Sequence, residues 1–124
     1  MPGIPKYKPQ TSKVKPWAAI EDFYVDLIAN YGWEQYLLDL VRHIRSTRLS
    51  DRLYACTSLD RLIVSIYDPI EFNKEVLIIA YNRSKQKWHF TYRAQPFAPI
   101  EFEREYEPSK GIEKFDNFIK MIRW

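Results

Sequence analysis

The chain has 124 residues, enough for one domain with a sizeable core. Its 46% hydrophobic and 28% charged residues are ordinary globular values, which excludes wholesale disorder. Three glycines exclude collagen-like and glycine-linker chains, and one cysteine excludes an intramolecular disulfide and a multi-cysteine metal site.

The net charge of +3 is unevenly spread. Residues 1–20 hold Lys6, Lys8, Lys13 and Lys15 and no acid, whereas the remainder is close to neutral. A near-neutral body argues against a large phosphate-binding face. Residues 1–16 also hold Pro2, Pro5, Pro9 and Pro16. Proline removes backbone donors and fixes φ, so this stretch reads as an extended, mobile basic arm. It contains no apolar secretory core, and the longest apolar run, Val76 to Tyr81, is far short of the roughly 20 residues of a membrane span. The expectation is a cytoplasmic chain without membrane partners. The Asn82-Arg83-Ser84 sequon then reads as chance.

A single α+β domain is expected over residues 17–124. Trp17, Ile20, Tyr24, Leu27, Ile28 and Tyr31 recur at three- and four-residue steps, predicting a helix from Pro16 or Trp17 to Asn30 with Gly32 as its C-cap. Trp33, Tyr36, Leu37, Leu40, Val41 and Ile44 predict a second helix from Trp33 to Ser46 or Thr47. A short break at Gly32 makes these a helical hairpin or one kinked helix.

Beyond Arg48 the period shortens to two. Strands are expected at 52–58 and 62–67 around a turn at Leu59-Asp60-Arg61, with Asp68-Pro69 stopping the second. Val76 to Tyr81 is apolar throughout, which suits a central strand covered on both faces. Strands at 88–93 and 100–107 alternate strictly. Pro108-Ser109, with Ser109 as candidate N-cap, opens a last helix striped by Ile112, Phe115, Ile119 and Ile122. Short links between consecutive strands imply an antiparallel sheet of about five strands. The N-terminal helical hairpin and the C-terminal helix should pack on it.

Four features offer chemistry. Glu101, Glu103, Glu105 and Glu107 share one face of the last strand, which suits a basic protein partner or a solvated edge. No Asp, Asn or His completes a coordination shell beside them, so no metal is expected. Arg42, Arg45 and Arg48 step by three at the end of the second helix and form a basic ridge, for an anion or for dipole complementation. The arm lysines Lys6, Lys8, Lys13 and Lys15 suit nucleic acid or an acidic surface. Trp88, Phe90 and Tyr92 invite comparison with base-stacking strands, but His89 and Thr91 fill the places where an RNA-recognition strand needs small residues. These rings are expected in the core.

Signals for catalysis are thin. Cys56 with His89 as base is conceivable, but a cysteine among Leu53, Tyr54 and Ala55 more often serves as a small buried hydrophobe. There is no nucleophile elbow, phosphate loop or dinucleotide glycine pattern, and no catalytic residue or cofactor is assigned. The favoured expectation is a small non-enzymatic protein-binding domain of inhibitor, immunity-like or regulatory character, meeting a basic partner through the glutamate row. The alternatives are a nucleic-acid-associated accessory protein, using the arm and the arginine ridge, and an enzyme with an unrecognised pocket. A homodimer is compatible with each.

Overall fold

The structure, a computed structural model, describes residues 11–71, 74–94 and 102–124. In chain order the elements are β1 (Thr11–Ser12), α1 (Trp17–Tyr31), α2 (Tyr36–Arg45), β2 (Tyr54–Ser58), β3 (Arg61–Ser65), β4 (Ile70–Glu71), β5 (Val76–Asn82), β6 (Lys87–Arg93), β7 (Phe102–Tyr106) and α3 (Gly111–Ile122). Short 3-10 turns lie at Arg48–Asp51 and Pro108–Lys110. Strands β2, β3, β5, β6 and β7 form one antiparallel sheet in that order, and β1 pairs with β4 in a separate two-stranded ribbon. The molecule is α+β, with helices from both ends of the described chain packed on an antiparallel sheet.

The period-two alternation explains the two sides of the sheet. Leu62, Val64, Leu77, Ile79, Tyr81, Trp88, Phe90 and Tyr92 turn toward the helices, where they meet Ile20, Leu40, Val41, Ile44, Phe115 and Ile119. The aromatic strand is therefore core, as its residue types imply. Trp88 is held in two ways. Its indole donates to the Pro108 carbonyl at 2.9 Å, and its ring fills the space that a Cβ on Gly111 would need. Glycine at that point lets α3 lie close to the sheet.

The opposite side of the sheet is half covered. Cys56, Ile63, Ile70 and Val76 form a second, smaller buried cluster, with Val14 and Ile78 against it. The β1–β4 ribbon supplies Ile70 to this cluster. Beyond it, β6 and β7 present charged side chains to solvent.

Three expectations need correction. The extended arm was drawn through residue 16, but Thr11 and Ser12 pair with Glu71 and Ile70, and the Lys15 amide donates to the Ala55 carbonyl at 2.9 Å. Thr11 and Ser12 are thus tied to β4, and Lys15 takes up one carbonyl on the outer edge of β2. Residues 1–10 lie outside the described residues. The second helix begins at Tyr36, three residues late, because Trp33 and Glu34 are engaged by Arg83 instead. Ser109 does not cap α3; it sits inside the 3-10 turn, and no side chain caps that helix. The Gly32 C-cap stands, at φ +66° with its amide on the Ile28 carbonyl.

Candidate functional site

The glutamate row is internally balanced. In the β6–β7 register, Glu103 and Glu105 stand opposite Thr91 and His89 on the side away from the helices. Glu103 meets His89 at 2.7 Å, Glu105 meets Lys85 at 3.3 Å and Glu107 meets Lys87 at 3.8 Å. Glu105 and Glu107 are answered by lysines and Glu103 by the His89 ring, from β6 or the turn before it, so the ledge is a mixed ladder. Glu101 lies outside the described residues.

The arginine ridge is similarly engaged. Glu21 of α1 reaches across to Arg42 at 3.7 Å and Arg45 at 3.2 Å of α2. Arg48 is exposed on the following 3-10 turn. Among the arm lysines, Lys15 donates to the Thr57 hydroxyl at 3.1 Å and lies over the Phe23 ring, and Lys13 is exposed. Lys6 and Lys8 fall outside the described residues.

Cys56 and His89 do not meet. Both face away from the helices, but β3 and β5 lie between their strands, a spacing of about 14 Å at 4.8 Å per strand. Burial pushes the Cys56 thiol up, against a Ser12 hydrogen bond and the Lys15 charge that pull it down. The other histidine, His43, has Nε2 at 2.9 Å from both Asp116 oxygens and ties α2 to α3 beside a hollow of about 200 Å³. Among the described residues no group of three or more His, Cys, Asp or Glu is placed to hold a metal ion, and no helix is long and apolar enough to cross a membrane.

A different surface emerges where α1 ends above the β2–β3 turn. Leu27, Tyr31, Trp33, Leu59 and Asp60 line an open hollow of about 320 Å³, nearly all of it apolar. Tyr31 is 71% exposed and Leu59 is 85% exposed. Leu59 also sits at φ +57°, a conformation that suits glycine, asparagine or aspartate and strains a leucine. The floor is fixed by the Tyr24 hydroxyl, which donates to the Asp60 carbonyl at 3.1 Å. Burial and the Asp60 charge hold the Tyr24 phenol far above its usual range.

One wall is braced: Arg83 covers the Trp33 ring at 4.6 Å and binds Glu34 at 2.9 Å. The indole N–H groups of Trp17, Trp88 and Trp124 each find an acceptor, but that of Trp33 has none among the described residues. Sequence reading placed Leu27 and Trp33 in core stripes and Leu59 in an ordinary turn. The one available signal was a leucine where a tight turn favours a small or polar residue. Comparison of the chain with protein-family models, curated proteins and solved structures found no match.

Proposed function

We propose that this chain is a non-enzymatic protein-binding domain, and that the hollow at the α1 end is its docking surface. The observation that carries this reading is Leu59: a bulky apolar side chain, almost fully exposed, on a backbone that disfavours it. Strain of this kind persists where a side chain has a use outside the fold. Tyr31 and Trp33 beside it are the ring types that anchor interfaces. The mixed ladder on β6–β7 contributes less, because its carboxylates already have partners.

The test is affinity capture from the native cell with three baits: the parent chain, a Leu59→Asn, Tyr31→Ser double variant, and a Glu103→Lys, Glu105→Lys double variant. A protein retained by the parent and the ladder variant but lost with the hollow variant supports the reading. Loss with the ladder variant alone moves the interface to the glutamate row. Salt-sensitive retention of nucleic acid in place of protein overturns the reading.

A further inference from the structure

A second hollow lies at the other end of the helical hairpin, where α2 runs out beside α3. Its polar lining is His43 on α2, Thr47 and Arg52 beyond that helix, and Asp116 and Lys120 on α3. At about 200 Å³ it is smaller than the roughly 300–1,000 Å³ of pockets for drug-sized ligands, so it suits a small head group.

The lining holds donors without acceptors. Nε2 of His43 faces both Asp116 oxygens at 2.9 Å, so the proton on that nitrogen is committed. The other ring nitrogen, Nδ1, has no partner among the described residues. Arg52 spends Nε on the Trp124 carbonyl at 3.0 Å, and neither of its Nη groups has a partner there. Lys120 is exposed and has no ion-pair partner among the described residues.

Charge points the same way. Asp116 is the one acid in the lining, and His43 answers it. Arg52 and Lys120 are then in excess. Arg48, exposed between the lining residues Thr47 and Leu49, adds to them and has no ion-pair partner among the described residues. Arg42 and Arg45 are taken by Glu21, so the free positive charge of the arginine ridge lies at this end. A guanidinium fork, an ammonium and an imidazolium N–H together suit a tetrahedral oxyanion with several acceptors and more than one charge.

We infer that this hollow binds a phosphate-class oxyanion, free or as the head group of a small phosphomonoester. The Arg52 Nη groups, Lys120 Nζ and the Nδ1–H of the His43 imidazolium hold it, and Asp116 orients the ring. The site is independent of the docking reading. The Glu21 contacts set the last turns of α2 beside the start of α1, whereas the docking hollow lies at the end of α1.

The experiment titrates the full chain, labelled with nitrogen-15, with inorganic phosphate, glycerol phosphate and acetate at matched ionic strength. Phosphate should give saturable shifts of the His43 ring and of the Thr47, Leu49 and Lys120 amides, and added chloride should weaken it. Lys120→Gln, at an exposed position, should bind about 2- to 5-fold more weakly, the worth of one exposed ion pair. Lys120→Arg keeps the charge and should keep most of the affinity. Arg93→Gln loses the same charge on the side of the sheet away from the helices and should bind like the parent.

Tighter binding of glycerol phosphate identifies an ester head group, and equal or weaker binding identifies the free ion; either supports the site. Acetate binding as tightly as phosphate overturns the phosphate class. Shifts that never saturate, shifts spread over the whole surface, or equal affinities for the parent and Lys120→Gln overturn the site. So does an Arg93→Gln loss as large as that of Lys120→Gln.

Discussion

Tyr24 joins the core to the candidate surface. Its ring is buried with Ile20 and Leu37, and its hydroxyl fixes the β2–β3 turn through the Asp60 carbonyl. A phenol held far above its usual range has a calculable consequence. Below about pH 10 it is neutral in both folded and unfolded chains and carries no penalty. As pH rises past that value the unfolded chain ionises and the folded one does not, so stability falls. Burial also raises Tyr81 and Tyr106, which add to the slope. Urea midpoints from pH 8 to pH 11 should therefore drop, and Tyr24→Phe should flatten part of that drop. At neutral pH the same variant should be less stable by about 1 kcal/mol, the worth of the lost hydrogen bond.

At the scale of elements, the long periodic segments were readable because each follows one period and buries one stripe. Trp88, Phe90 and Tyr92 alternate with polar neighbours, and Ile20 and Tyr24 recur at a helical step, so strand and helix were both plain. The β1–β4 ribbon was not. Two residues show no alternation, and the partner of Thr11 is Glu71, sixty positions along the chain. Pro16 and the lysines read as a free leader, and only the tertiary fold supplies the partners of Thr11, Ser12 and Lys15. The glutamate row was legible as a row but not as a ladder, because its cations belong to the neighbouring strand. Leu59 was visible as a turn residue, but its positive φ was not. The ribbon can be tested through the cluster it covers. Ile70→Ala should cost about 2–5 kcal/mol. It should also speed labelling of the buried Cys56 by a thiol reagent under native conditions, whereas the parent should label slowly.

Taken as one body, the molecule has two unequal cores separated by a sheet, and charges that mostly cancel in pairs across its surface. Trp124 closes the larger core: it is 8% exposed, its indole donates to Glu75 at 2.9 Å and its ring meets Tyr92. Trp124→Ala should lower the free energy of unfolding by about 3–5 kcal/mol, read from denaturant titration. The backbone carbonyl of Trp124 accepts from Arg52 at 3.0 Å, and the next residue, Leu53, offers its own carbonyl to the Trp17 indole at 3.1 Å. The start of the first helix and the chain just beyond the final one are thereby fastened to adjacent links of the chain. A force pulling Trp17 and Trp124 apart would load this double clasp, which lies at the opposite end of α1 from the hollow beside Tyr31.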